Sequence, residues 1–415
     1  MADFFIWAIA AVTIACVIIR PFHLPAAIWA GGGAGLLVLL GLITPETAWR
    51  GILKGVDVYL FLVGMMLLAE TARRQGLFDW LAAHATRRAR GSAKRLFWLI
   101  YAVGVIVTVF LSNDATAVVL TPAVAAAVKA AKAENPLPYL FVCAFIANAA
   151  SFVLPISNPA NLVIYHSQMP PLTVWLARFL LPSALSIAAT FIVLRWSQRA
   201  ALDQPIASDT EIPPLTASGR MAACGIAAAA VLLITASALN IKLGLPTMLA
   251  GMGTAMIVLI AGKCPPWETL SGISWGVLPL VGGLFVLVEA LQSSGLILMI
   301  SHALHAEALQ NPRAAAWGAG GIIAIAGNLM NNLPAGLIAG TAVTAASSPI
   351  PVVNAVLIGV DIGPNLSVTG SLATILWLSA LRREGLSVDG WTFLKLGVLV
   401  MPPALLLALA SVFLH

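Results

Sequence analysis

Apolar runs long enough to cross a bilayer recur along almost the whole chain. A helix needs about 20 apolar residues to span the hydrocarbon core. Near-continuous runs occupy about 4–20, 24–43, 55–73, 137–165, 173–196, 219–239, 244–262, 273–297, 350–380 and 391–414. Two further stretches, about 95–131 and 312–346, are apolar but broken in the middle by polar residues. Charged residues make up 9% of the chain, against roughly a quarter in an average soluble domain. So little charge cannot cover a water-facing surface. Backbone groups in lipid must be satisfied internally, so the runs are helices and the fold class is an all-α polytopic membrane protein.

The remaining composition fits that class. A net charge of +6 would suggest nucleic acid in a soluble protein. Here it belongs to cytoplasmic loops, and no nucleic-acid partner is expected. Cys16, Cys143, Cys224 and Cys264 lack the paired spacing of a zinc or redox motif and read as small packing residues. MADFFIWAIAAVTIACVIIR has neither a basic start nor an A-x-A site, so it reads as a first span rather than a removed signal. No HExxH, GxxxxGK[ST] or GxSxG pattern occurs, so an ATPase or hydrolase is not expected, and neither is a cofactor or metal.

Basic residues orient the spans. Both broken stretches are read as re-entrant hairpins, with the N-terminus outside. Of the 22 Lys and Arg, only Arg50, Lys54, Arg178, Lys242 and Arg313 then fall outside. The rest, including Arg87, Arg95, Lys129 and Lys132 flanking the first hairpin, lie on the cytoplasmic side. This predicts an inner-membrane protein with both termini outside. Residues 197–218, with Pro205, Pro213 and Pro214, read as a cytoplasmic linker between halves 1–196 and 219–415. Those halves resemble each other. LVGMMLLAETARRQGLF from Leu62 aligns with VGGLFVLVEALQSSGLI from Val281, placing Glu70 over Glu289 and Gly76 over Gly295. LSNDATAVVLT from Leu111 matches LMNNLPAGLIA from Leu329. With five spans and one hairpin per half, the second copy is inverted, the architecture of secondary transporters. The expected fold is two inverted-topology repeats with about ten transmembrane helices, two re-entrant hairpins and two unwound helices.

Four polar clusters interrupt the apolar segments, two per half, and such breaks are tolerated in lipid only where they line a cavity. They are Ser112-Asn113-Asp114-Ala115-Thr116; Pro155 through Asn161; Asn331-Asn332-Leu333-Pro334; and Gly363-Pro364-Asn365 through Thr369-Gly370-Ser371. Pro159 and the Pro364–Gly370 segment should unwind their helices. Hairpin tips and unwound helices place N–H donors and C=O acceptors at one depth, and Ser, Thr and Asn supply both kinds of group. No cluster contains Arg or Lys. The site therefore suits a small hydroxylated solute, with Ser112, Asn113, Asp114, Thr116, Ser157, Asn158, Asn161, Asn331, Asn332, Thr369, Gly370 and Ser371 as candidate contacts.

Each candidate also has a structural reading. A carboxylate near the midplane pays a large desolvation cost that favours its neutral form, so Asp114 is a candidate proton carrier. It also suits an N-cap of the returning arm. The Asn and Ser residues either bind solute or satisfy unwound backbone, and Asn148 reads as glue between helices. Asp361 ranks next to Asp114. Glu289, with no basic residue within a helical turn, is either a further titrating group or a tertiary partner. Glu70 has Arg73 and Arg74 at i+3 and i+4 and reads as an ion pair. Asp57 reads as a helix-start carboxylate. His23, His84, His166, His302, His305 and His415 sit at span ends or in connections.

SNDATAVVLTPAV from Ser112, LPISNPANLVIY from Leu154 and GVDIGPNLSVTGSLATILWL from Gly359 resemble the ArsB-type arsenite permeases of the ion transporter superfamily, and the likeness covers nearly the whole chain. Pro159 and Pro334 depart from that pattern. The resemblance implies a scaffold, a moving transport unit, and proton-driven export of neutral As(III) and Sb(III) trihydroxides. Some members recruit a cytoplasmic ATPase. A sodium-coupled carboxylate carrier, a sodium/proton antiporter of the same superfamily and a passive channel are the alternatives.

Overall fold

The computed structural model describes residues 2–165, 169–208 and 211–414, and every regular element among them is helical. His166 and His415 lie outside the described residues. Six helices are long and apolar enough to span a membrane: Ala2–Ile19, Ala93–Phe110, Leu172–Ser197, Ala217–Ala238, Gly244–Gly262 and Gly390–Ser411. Two bent helix pairs are long and apolar enough to make two more if each is one span. Pro45–Lys54 meets Val56–Arg74 at 47°, and Pro266–Gly272 meets Val277–Ser293 at 42°. The apolar runs starting at 55 and 273 do not reveal the leading member of either pair. In Pro45–Lys54 it is an amphipathic helix started by Thr44, whose hydroxyl accepts from the Thr47 amide.

The two halves repeat one order of elements. The first runs Ala2–Ile19, Ala26–Leu39, the bent pair, Leu77–Ala89, a hairpin of Ala93–Phe110 and 113–130, a broken helix of Leu137–Ala149 and Pro159–Tyr165, and Leu172–Ser197. The second runs Ala217–Ala238, Gly244–Gly262, its bent pair, Leu296–Gln310, a hairpin of Pro312–Met330 and Asn332–Ala345, a broken helix of Ile350–Ile362 and Leu372–Arg383, and Gly390–Ser411. Both hairpins break where the polar clusters lie.

Contacts between the copies are reciprocal. Val56–Arg74 lies along Gly244–Gly262, as Val277–Ser293 lies along Ala26–Leu39. Pro159–Tyr165 packs on Asn332–Ala345, as Leu372–Arg383 packs on 116–130. In lipid, helices associate through close van der Waals packing, which small residues allow. A Cβ on Gly64 would stand 2.6 Å from the Met248 amide nitrogen, and one on Gly251 would stand 2.8 Å from the Gly64 Cα. The elements therefore form two groups. The scaffold comprises the first two helices and bent pair of each half. The second group comprises the hairpins, broken helices and last helices, the elements expected from the resemblance to form the transport unit.

The connection between the halves is docked. Its Ala207 amide donates to the Ala131 carbonyl at 2.7 Å, its Ile206 amide to the Gly91 carbonyl at 3.3 Å, and Asp203 pairs with Lys94 at 2.9 Å. It covers the open end of the first hairpin. Trp377 ties the copies together deeper in the transport unit, donating from Nε1 to the Leu140 carbonyl at 2.9 Å among Phe141, Phe145 and Phe393.

Candidate functional site

The first hairpin turns at Ser112, which is extended and caps the return arm by accepting from the Ala115 amide at 3.2 Å. Asn113 Oδ1 accepts from the Asp114 amide at 2.9 Å. Capping thus falls to Ser112 rather than Asp114, which lines a cavity instead. The second hairpin turns at Asn331, whose φ of 73° and ψ of 152° fall in a positive-φ region that favours glycine, so the tip holds a strained backbone. Asn331 accepts from the Leu333 amide and donates to the Thr369 carbonyl at 3.3 Å. Pro334 is the third residue of the return helix, within the first turn, where its missing N–H costs no helical bond. It therefore does not break the segment.

Asn158 is extended, and Pro159 opens the next helix with its preset φ. The unwound stretch runs from Ala150 to Asn158, upstream of the proline, and Pro159 through Asn161 are already helical. Buried polar groups without partners are costly, so the breaks must be hydrogen-bonded. Asn158 Nδ2 donates to Asp361 Oδ1 at 2.6 Å, and Ser151 Oγ approaches the same oxygen. Asn148 Nδ2 donates to Asn365 Oδ1 at 3.0 Å, and Asn365 in turn donates to the Phe145 carbonyl. Asn161 Nδ2 donates to the Ser151 carbonyl at 2.9 Å. Leu137 and Ile350 open the two broken helices, and at equal distances along them stand Asn148 and Asp361. The copies thus place an amide and an acid at equivalent positions.

The second break is organised by Asn328. It donates to the Gly363 carbonyl at 2.9 Å, and Oδ1 accepts from Ser367 at 2.7 Å. Thr369 donates to the Asn328 carbonyl, and Ser371 caps Leu372–Arg383 by accepting from the Thr374 amide at 3.1 Å. Gly370 accepts from the Asn332 amide at 2.8 Å. A Cβ on Gly370 would stand 2.6 Å from Asn328 Oδ1, so the tip and the break approach too closely for another residue there.

Asn113, Asp114, Asn158 and Asn332 line one cavity, closed on the scaffold side by Leu62, Val277 and Val281. A neighbouring space begins at Ser112 and Asp114 and runs between the transport unit and Met65, Met66 and Ala69 to Glu70 and Gly272. Asp114 stands where the two meet. Among the described residues, no basic side chain lines either space. The other candidates are not brought to this cavity. Thr116 bonds Thr108 across the hairpin arms at 2.8 Å, and Ser157 donates to the Val109 carbonyl at 3.0 Å. Asn161, Thr369, Gly370 and Ser371 hold the breaks in shape, and Asn331 lines a separate space with Arg20.

Glu289 lies away from this cavity and has the tertiary partner that the sequence left open. Its Oε2 accepts from Lys54 at 2.5 Å. The basic partner missing from its own helix comes from Pro45–Lys54 of the other copy, which packs on Val277–Ser293. Glu70 pairs with Arg73 at 2.6 Å and Arg74 at 2.9 Å, and Arg74 reaches on to Glu268. Asp57 caps a helix of the other copy rather than its own, accepting from the Gly244 amide at 3.0 Å. Sequence reasoning missed Ser151, a small residue with no motif to mark it. It also missed Asn328, a lone amide inside an apolar run that its position alone could have flagged.

A family model described as citrate transporter (CitMHS) matches residues 9–359. The chain belongs to this family. The CitMHS chain is 28% identical over 432 residues to the arsenical pump membrane protein of Escherichia coli strain K12, covering 98% of each. It is 27% identical over 380 residues to the protein of that name from Yersinia enterocolitica, covering 88% of this chain and 87% of the relative. Its fold is similar to the Alcanivorax borkumensis YdaH transporter, with TM-score 0.59, 17% identity, and 88% and 86% of the two chains covered. The CitMHS chain is a multi-pass membrane transporter of the ArsB type with the ion transporter fold.

Proposed function

We propose that this chain exports arsenite and antimonite, as neutral trihydroxides, in exchange for entering protons. One observation carries the reading. The cavity shared by both hairpin tips and the Asn158 break offers Asn113, Asn158 and Asn332 with a single acid, Asp114, and no basic side chain. Amides donate to and accept from hydroxyl groups, so they match a neutral M(OH)3 solute. The arsenical pump relatives span 98% of the chain, which supports the same solute class.

In this scheme the hairpins are re-entrant, copies 1–196 and 219–415 are inverted about linker 197–218, and both termini face outward at the inner membrane. Solute enters from the cytoplasm along the space beside Glu70, binds at Asp114, and leaves when the transport unit shifts against the scaffold. Protons bind at Asp114 and Asp361. Asp114 touches the solute cavity directly, and Asp361 reaches it through Asn158. Proton exchange by alternating access needs no nucleotide, and a cytoplasmic ATPase would add to this cycle rather than replace it.

A second reading, cation-coupled carboxylate transport, draws on the description of the family model. A citrate anion would meet Asp114 in a cavity without a cationic side chain, which repels it. Expression in an arsenite-sensitive cell separates the two. The proposal expects growth at raised arsenite and antimonite with no sodium requirement. Unchanged tolerance together with sodium-dependent citrate uptake would overturn it.

A further inference from the structure

Ser151 lies between the two pieces of the first broken helix and is buried with its neighbours. Its Oγ is 2.7 Å from the Asn148 carbonyl oxygen and also contacts Asp361 Oδ1. A serine hydroxyl carries one hydrogen, so it cannot donate to both. Asn158 donates to Asp361 Oδ1, whereas Oδ2 is buried without a partner, as are Asn148 Oδ1 and Asn161 Oδ1. Acceptors outnumber donors around Ser151. An ionised Asp361 would add negative charge to that excess and would take the hydrogen from the Asn148 carbonyl. A neutral Asp361 resolves it. Its O–H donates to Ser151 Oγ, and Ser151 donates its own hydrogen to Asn148.

The surrounding helices supply no counter-charge. On the elements packed against Ile350–Ile362, Arg313 stacks on Phe413, Lys395 on Trp391 and Arg195 on Phe191. Tyr165 bonds Asn354 and lies beside Arg178, Tyr139 bonds the Ala93 carbonyl, and Cys143 bonds the Tyr139 carbonyl. No ion pair to Asp361 occurs among the described residues.

We infer that Asp361 holds the transported proton in this conformation and that Ser151 is the positioning residue that shares it. This rests on the proposed proton-coupled export and deepens it by assigning the proton's place. The exchange balances without breaking a bond between heavy atoms. When the carboxyl releases its proton, the Ser151 hydroxyl rotates from the Asn148 carbonyl to Asp361 Oδ1, where it donates alongside Asn158. Because Asn158 also lines the solute cavity, the proton state of Asp361 reaches the solute through one side chain.

Infrared difference spectroscopy on the full chain in lipid at neutral pH, in H2O and D2O, tests this inference. It expects a protonated carboxyl C=O band that shifts in D2O and that Asp361→Asn removes. Ser151→Ala should move the band to higher frequency, because the acid loses its acceptor, and Ser151→Thr should restore it. Ser151→Ala should also lower pH-gradient-driven arsenite uptake at least tenfold while arsenite exchange without a gradient continues. A band that Asp361→Asn leaves in place would overturn the assignment to Asp361, and one unmoved by Ser151→Ala would overturn the role of Ser151. Loss of the band on adding sodium would make the site a sodium site instead. Gradient-driven export surviving in Asp361→Asn would overturn the proton's assignment to Asp361 and leave proton-coupled export standing, whereas wild-type uptake that ignores the pH gradient would defeat the underlying reading. Should Asp361→Asn fail to fold, the isotope shift and the two Ser151 variants still decide.

Discussion

Asn158 donates to Asp361 across 2.6 Å, joining the break in one copy to an acid in the other. Both side chains are buried, with Asp361 at 0% and Asn158 at 2% exposure. The bond therefore ties the extended Asn158 of one broken helix to the last turn of Ile350–Ile362 in the other. Removing one partner of a buried pair exposes the cost of the other, about 1–3 kcal/mol and more for a charged group. Asn158→Ala should lower stability by about that amount, measured by thermal unfolding in detergent. A double-mutant cycle with Asp361→Asn should return a coupling energy above about 0.5 kcal/mol.

Asn332 lines the cavity proposed to hold the solute, while its backbone amide holds Gly370. Asn332→Ala keeps the backbone bond and removes one amide from the solute. Loss of a neutral hydrogen bond of about 1 kcal/mol predicts a rise of about fivefold in the arsenite KM. Vesicle transport at varied arsenite concentration measures it, with little change expected in fold stability.

The Lys54–Glu289 pair predicts a small effect. Lys54 is 51% exposed and Glu289 15%, and solvent-exposed pairs contribute about 0–1 kcal/mol. Glu289→Gln should leave stability within that range and the pH profile of transport unchanged. A profile that loses a titration step would return Glu289 to the proton path.

Packing of the scaffold is tested at Gly64. Its Cβ would enter the Thr247–Met248 backbone, whereas a Cβ on Gly31 meets nothing within 4 Å. Overpacking typically costs about 1–3 kcal/mol. Gly64→Val should cost at least that much, and Gly31→Ala should be close to neutral, both read from the melting temperature.

The sequence made the breaks legible because each one violates a strong rule. Asn113-Asp114, Asn158-Pro159 and Asn331-Asn332 stand inside apolar runs, where lipid tolerates no idle polar group. Their positions in the chain are the positions of the hairpin tips and unwound turns. What each side chain does there was not legible. Asn158 and Asn161 share a motif, yet Asn158 faces the cavity and Asn161 faces the Ser151 carbonyl. Which way an amide points depends on the partner brought from the other copy, and one strand of sequence carries no record of that distance. Glu289 shows the same gap. Its partner lies 235 residues away, and only the reciprocal packing of the bent pairs brings Lys54 to it. Pro45–Lys54 escaped because its apolar face is too narrow to register as a span.

Arsenite accumulation in everted vesicles carrying the chain, with an imposed pH gradient acid inside, measures the central claim directly. Wild-type vesicles should accumulate arsenite until a protonophore collapses the gradient. Asp114→Asn vesicles, with the chain folded and present at equal level, should lose at least nine-tenths of that accumulation. Full gradient-driven uptake by Asp114→Asn, or uptake in the wild type that ignores the protonophore, would contradict the account.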